Sequence, residues 1–403
     1  MFSHYGQYFV KRSIRILPTG RAVNHISLIP DQYITASEKF FSDYANECSI
    51  LAHVALKAHK TIDRRKNLSY NNRVYHTLLT PPQPPCVNRH VNIEATRGDL
   101  MKSMAICPML TAFTDSGSLD FDANERQIER LIAGGIDGIL FLGSIGEFSA
   151  ISMEQKEEFS KFAIGRVNGR VRTLVGTSCA SMEDTLQMNS VVCEAGADAA
   201  MILPPYYFAA DEETLYRYYS TLAHKTSLPF MLYNFPATTG TNMSADLVCR
   251  LAREYPQIIG IKDTVENFGH TRALIQSVHA LRPDFEVFSG FDEYFLLNLM
   301  VGGNGVISGL NNIMPHVFRQ LLDGYAHNNF FSMRSAQQKI SSLMALYQVM
   351  PSFVQSIKIA ASMLIDDYPT NMQLFCAAPT DAQTVQIRQI LNEVLLQSGN
   401  YDR

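Results

Sequence analysis

The chain reads as an α/β protein: a (β/α)8 or TIM barrel, with a C-terminal helical region and a disordered N-terminal extension. Three observations predict this. Eight short apolar runs recur from residue 105 onward, helix-length segments with 3.6-type periodicity separate most of them, and one kind of glycine junction repeats between helix and strand. The apolar runs are 105–110, 138–142, 173–175, 199–203, 230–233, 258–261, 286–288 and 305–307. Runs this short, apolar on both faces, suit parallel strands covered by helices. The clearest helical segments between them are 122–132, 153–167 and 181–194. The junctions Ala133-Gly134-Gly135-Ile136-Asp137, Ala195-Gly196-Ala197-Asp198 and Val301-Gly302-Gly303-Asn304 place glycine where a left-handed helix cap precedes the next strand. Eight strand–helix units in about 200 residues close a barrel. The rival, a doubly wound open sheet, calls for a dinucleotide fingerprint after its first strand, and Cys107-Pro108-Met109 is not one. After residue 325 only helical periodicity remains, at 331–349, 352–365 and 381–397. This divides the chain into an extension (1–103), a barrel (104–325) and a helical region (326–403).

The 403 residues carry a net charge of −4 that is unevenly spread. Residues 1–100 hold 13 Lys+Arg against 7 Asp+Glu, and the remainder holds 21 against 31. An acidic body offers no electrostatic footprint for nucleic acid and no basic stripe for a membrane surface. No apolar run reaches the roughly 18–20 residues a membrane helix requires. The extension has no acid before Asp31, a basic cluster at Arg64-Arg65-Lys66, and Pro81-Pro82-Gln83-Pro84-Pro85, which resists regular structure. An Arg-bearing, acid-free start also fits a mitochondrial transit peptide, and a third reading is upstream sequence before a start at Met101 or Met104. The seven cysteines form no C-x-x-C pair and no zinc-like spacing with the eleven histidines. They predict a reducing compartment, the cytoplasm unless the extension is a transit peptide, and no metal site.

In a barrel, chemistry gathers at the C-terminal ends of the strands. Lys262 ends the run Ile258-Ile259-Gly260-Ile261 and precedes Asp263-Thr264. Burial penalises the ammonium and favours the free amine, the form that attacks a carbonyl. The alternative is a lysine that snorkels to water. Gly143-Ser144-Ile145-Gly146 follows the second strand, and its backbone N–H groups with the Ser144 hydroxyl could hold a carboxylate, or form a plain turn. Glu147 beside it either starts a helix or is a structural acid beneath the site. Tyr233 ends the fifth strand, where its hydroxyl could relay protons or find a backbone partner. Tyr206-Tyr207 follows the fourth strand and suits the site or an oligomer contact. Asp292 and Glu293 follow the seventh, where they could bind a polyol or open a helix.

Taken together these motifs resemble the pyruvate-dependent class I aldolases related to dihydrodipicolinate synthase and N-acetylneuraminate lyase, in one continuous order from Met104 to the end. The resemblance implies a Schiff base between Lys262 and pyruvate, Tyr233 of the Tyr-Asn-x-Pro motif as proton shuttle, and a pyruvate carboxylate held by Ser144 and the Ile145 amide. It also implies that Tyr207 reaches in from a neighbouring subunit, that the protein is a homotetramer, and that no cofactor is needed. Thr264, in the motif that carries the lysine, joins the substrate-binding set.

Departures from the family pattern select among its branches. Thr238 stands where dihydrodipicolinate synthases usually carry an arginine for the carboxylate of aspartate semialdehyde. A neutral hydroxyl cannot replace a bidentate guanidinium. Ser144-Ile145 replaces their Thr-Thr. Phe141-Leu142-Gly143-Ser144, Tyr233-Asn234-Phe235-Pro236-Ala237 and Gly260-Ile261-Lys262-Asp263-Thr264 are most similar to the 2-keto-3-deoxy sugar-acid aldolases, of gluconate or pentonate type. Gly290-Phe291-Asp292-Glu293 resembles the segment of sialate lyases whose acids contact sugar hydroxyls, which makes Thr238, Asp292 and Glu293 candidates for the substrate tail. The expected activity is cleavage of such a sugar acid to pyruvate and a hydroxyaldehyde. Its alternatives are 4-hydroxy-tetrahydrodipicolinate synthase, N-acetylneuraminate lyase, and a barrel that senses a 2-oxo acid without turnover.

Overall fold

Eight parallel strands pair in chain order round a closed barrel: β1 Met104–Pro108, β2 Gly138–Phe141, β3 Arg172–Gly176, β4 Ala199–Ile202, β5 Phe230–Asn234, β6 Ile258–Asp263, β7 Glu286–Ser289 and β8 Gly305–Ile307. This computed structural model describes residues 103–397, so the expectations for the extension lie outside the described residues. Each apolar run of the sequence lands on a strand, because a strand covered on both faces has no polar side to write into its pattern. The helices that follow the strands are α1 Phe121–Ala133, α2 Met153–Val167, α3 Met182–Ala195, α4 Glu212–Lys225, α5 Ala245–Glu254, α6 Phe268–His279, α7 Phe295–Met300 and α8 Pro315–Ala326. Beyond the barrel come α9 Phe330–Leu343, α10 Phe353–Ser362 and α11 Asp381–Gln397.

Local chemistry starts and stops these helices. Asp120, Ser152, Ser181, Asp211 and Ser244 each accept the amide three residues on, capping α1 to α5. Such a cap contributes about 1 kcal/mol. The repeated junction behaves as its composition implies, with positive φ at Gly135, Gly196 and Gly302. In the first junction the second glycine carries the left-handed turn, while Gly134 remains helical at φ −72°.

The foot of the barrel is closed by charge. Arg172 at the start of β3 and Glu286 at the start of β7 stand four strands apart, so they meet only through the interior, with Arg172 Nη1 2.7 and 2.8 Å from the two carboxylate oxygens. Gly260 makes room beside them: a Cβ there would lie 2.6 Å from the Glu286 carbonyl oxygen.

The helical region does not pack as an independent body. Phe318 and Leu321 of α8 share one apolar cluster with Ile340 and Leu343 of α9, Ile357 of α10, Leu391 of α11, and Val306 of β8. Cys107, Cys179, Cys249 and Cys376 are free thiols. Among the described residues no helix is long and apolar enough to cross a membrane, and no cluster of His, Cys, Asp or Glu is arranged to hold a metal ion.

Candidate active site

Strands β5 and β6 are in register with Tyr233 opposite Lys262 and Asn234 opposite Asp263. Parallel pairing therefore delivers both candidate side chains to one level of the barrel, at the end where the strands run out. Lys262 Nζ donates to Tyr233 Oη at 3.1 Å and lies 4.4 Å from the centre of that ring. Tyr233 Oη is in turn 3.4 Å from Ser144 Oγ, on the turn after β2. Amine, phenol and hydroxyl form a chain along which a proton can pass. A narrow cleft lies beside it, lined by Gly143, Ser144, Phe148, Ser178, Leu203 and Tyr233. Ser178 Oγ accepts the Leu203 amide at 2.8 Å, which leaves its own proton to donate.

Lys262 is 6% exposed, and among the described residues Tyr233 is its hydrogen-bond partner, with no carboxylate against it. Thr264, two residues on and on the same face of the chain, is buried with its hydroxyl unpaired. The space beside them depends on Gly290 after β7. A Cβ there would stand 1.8 Å from Thr264 Oγ1 and 3.1 Å from Lys262 Cε, so any side chain would press on the lysine and displace the threonine.

Glu147 is the structural acid of the two alternatives. Both it and Lys358 of α10 are fully buried, 2.5 Å apart. The other Glu147 oxygen accepts the amides of Gln373 at 2.8 Å and Leu374 at 3.0 Å. Lys358 also donates to the Asn371 carbonyl at 2.8 Å. Burial pulls the Lys358 ammonium down from its ordinary range, and Glu147 opposes that. The turn that carries Ser144 is thus tied to the C-terminal helices. Ile145 adds to the tie, with its side chain buried in the cluster of those helices rather than turned to a ligand.

The expectation of a polyol contact is corrected at Asp292. Its carboxylate is buried and committed to protein donors: the Ser308 hydroxyl, the Leu310 amide at 3.0 Å and the Tyr347 hydroxyl at 3.1 Å. Burial raises its pKa and these donors counter the rise. Glu293 is exposed in the one-turn helix Asp292–Tyr294, the helix-opening alternative. Thr238 is also exposed and turns its hydroxyl back to the Phe235 carbonyl at 3.1 Å. Tyr207 is 89% exposed with φ 82°, edge-on to Phe208, and stands outside the cleft of its own chain.

Sequence reasoning missed Lys358, Tyr347, Gly290 and the groups behind Asp263. One had a readable signal: Lys358 interrupts Ile357-Lys358-Ile359-Ala360-Ala361 as Lys262 interrupts its strand. Tyr347 reaches Asp292 from 55 residues away, and His270 and Thr271, though near Asp263 in sequence, meet it only because α6 packs behind β6, which no local pattern records.

The sequence pattern of the Dihydrodipicolinate synthetase family matches residues 101–394. YagE of Escherichia coli K12, provisionally named a 2-dehydro-3-deoxy-D-gluconate aldolase, is 35% identical over 292 residues, which cover 72% of this chain and 96% of YagE. YjhH of the same organism, provisionally named a 2-dehydro-3-deoxy-D-pentonate aldolase, is 33% identical over 253 residues, 63% of this chain and 84% of YjhH. The crystal structure of YagE in complex with pyruvate superposes with a TM-score of 0.71 at 34% identity, covering 73% of this chain and 99% of that one. A match over most of the chain, together with a lysine–tyrosine pair at the mouth of a closed barrel, shows that the chain belongs to the dihydrodipicolinate synthetase family of pyruvate-dependent lyases.

Proposed function

We propose that the protein is a Schiff-base aldolase that splits a 2-keto-3-deoxy sugar acid, of gluconate or pentonate type, into pyruvate and a hydroxyaldehyde. The observation that carries the reading is the Lys262–Tyr233–Ser144 chain, with links of 3.1 and 3.4 Å. Lys262 attacks the C2 ketone and water leaves, giving a protonated imine. Tyr233, backed by Ser144, takes the C4 hydroxyl proton as the C3–C4 bond breaks, and the electron pair moves into the imine as an enamine. Protonation at C3 and hydrolysis release pyruvate and restore the amine. The imine is its own electron sink. Ser144 and the Ile145 amide receive the carboxylate, and the unpaired Thr264 hydroxyl is free to bind substrate.

The substrate class is supported by the names of YagE and YjhH and by Thr238, a neutral side chain where the synthase reaction needs a guanidinium. Tyr207, exposed on its own chain, completes the site of a neighbouring copy in a homotetramer. The compartment is the cytoplasm. The barrel and helical region carry the catalysis without residues 1–103.

Three measurements test this. Borohydride reduction with pyruvate should place one stable adduct on Lys262, seen by mass spectrometry; an adduct on another lysine, or none, removes the mechanism. Pyruvate release should be fastest from 2-keto-3-deoxygluconate or its pentonate analogue. Faster turnover of sialic acid, or efficient condensation of pyruvate with aspartate semialdehyde, overturns the substrate assignment. A chain beginning at Lys102 should keep its activity in the same assay, and its failure would remove the proposed boundary.

A further inference from the structure

Behind Tyr233 and Lys262 lies a layer of polar groups that the proposed chemistry does not use. Side chains alternate along a strand, so with those two turned into the barrel, Asn234 and Asp263 point out towards the helices. Asn234 Nδ2 donates to Asp263 Oδ1 at 2.8 Å. Asp263 Oδ2 receives the Thr271 hydroxyl at 2.6 Å and faces His270 Nδ1 at 3.0 Å, both on α6. The other ring nitrogen, His270 Nε2, lies 3.0 Å from the Met243 carbonyl, just before α5. The Met243 amide donates to Asn234 Oδ1 at 3.1 Å. The circuit Asn234–Asp263–His270–Met243 therefore closes on itself, joining β5, β6, α6 and the approach to α5.

The partners of the ring favour one protonation state. A carboxylate and a carbonyl only accept, and a neutral imidazole has one N–H, so the imidazolium alone satisfies both. Asp263 is fully buried, and His270 Nδ1, 3.0 Å from it, supplies a countercharge when the ring is protonated. A buried carboxylate without a countercharge is costly. Among the described residues Asp263 on β6 is the ionisable group in contact with the ring. The other elements packed on α6, among them α5, β7 and the one-turn helix Asp292–Tyr294, give the ring no hydrogen bond or ion pair among the described residues.

We propose that His270, as an imidazolium, is a positioning residue whose two hydrogen bonds hold Asp263 and Met243 and thereby the register that brings Tyr233 Oη to Lys262 Nζ. It touches no reacting atom. Its hydrogen bond to Asp263 raises its pKa above the ordinary 6.5, with burial opposing. The effect on rate rests on the Schiff-base reading above; the protonation state does not. A misplacement of about 1 Å in a reacting group can cost on the order of 10²-fold. Losing the ring should therefore lower kcat while KM changes little, because Ser144 and Ile145 lie on a different loop.

The test begins with the wild-type protein, full chain, labelled with ¹⁵N in its imidazoles. The His270 signal, assigned by its loss in His270→Gln, should show both nitrogens protonated at pH 7 and titrate above the ordinary histidine range. A neutral tautomer at pH 7 overturns the proposal. In the kinetic arm, kcat of the wild type should fall as pH rises through that same titration. His270→Gln should show a kcat lowered at least ~10-fold, on the scale of such misplacements, without that inflection. A lower melting temperature with kcat and its pH profile unchanged would reduce His270 to a structural residue and also overturn the proposal. If the variant does not fold, the coincidence of the wild-type titration and the wild-type kcat inflection decides, and a mismatch sinks the idea. Borohydride trapping at Lys262 runs alongside. Its failure with the doubly protonated ring intact would bring down the Schiff-base reading and leave the protonation state standing.

Discussion

Lys262 and Lys358 are both buried lysines that interrupt apolar runs, and they have opposite surroundings. Lys358 has an acid at 2.5 Å and a carbonyl at 2.8 Å, and its charge is spent inside the protein. Lys262 has the phenol of Tyr233 at 3.1 Å and the face of the same ring, with the unpaired Thr264 hydroxyl nearby. A charge that is fully paired builds structure. A buried amine left without an acid, beside a cleft, is available for chemistry. The sequence signal is the same in both cases; the partner decides the role.

The sharpest way to break this comparison is to remove each amine in turn. Lys262→Met should abolish pyruvate release while the unfolding free energy changes by less than about 1.5 kcal/mol, since methionine keeps much of the volume and no carboxylate is stranded. A collapse in melting temperature would make Lys262 structural after all. Tyr233→Phe comes next, with bond cleavage slowed ~10²–10⁴-fold, the usual contribution of a general acid–base group. Imine formation with pyruvate, read by borohydride trapping, should suffer far less. A loss well under tenfold would return Tyr233 to the status of a core aromatic.

Lys358→Met should do the converse of Lys262→Met. It leaves Glu147 buried and unpaired, at a cost of about 3–5 kcal/mol in denaturant unfolding. Adding Glu147→Gln should recover part of that loss, and the absence of any recovery would deny the pair its role. The smallest effect concerns His270. Its folded-state pKa is raised, so its contribution to stability is fully present below its ordinary pKa of 6.5 and is lost as pH rises through the folded-state value. Unfolding curves on either side of that window should differ between the wild type and His270→Gln in this direction, and a difference of opposite sign would contradict the assigned charge.

The fold was legible because its signals are local. Parallel strands covered on both faces write continuous apolar runs, capping residues mark where helices begin, and glycine marks the turn back into a strand. The placement of the candidates Lys262, Tyr233 and Ser144 at the ends of their strands was legible for the same reason, since the sequence already marks those ends. Asp292 and Glu293 misled because two acids after a strand look alike in sequence. One is buried beneath Ser308 and Tyr347, and the other stands in solvent. Nothing local distinguishes them.

By itself, then, the sequence determined the element order, the closed barrel and the strand ends that carry the candidate chemistry, because periodicity, caps and apolar runs act over a few residues. Only the tertiary structure decided which charges are neutralised and which remain free. Glu147 finds Lys358 across 211 residues, Arg172 finds Glu286 across 114, and Asp263 finds His270 where α6 packs behind β6. Whether a buried charge is spent or available depends on what folding brings within about 4 Å of it, where Coulomb attraction and hydrogen bonding offset the loss of water.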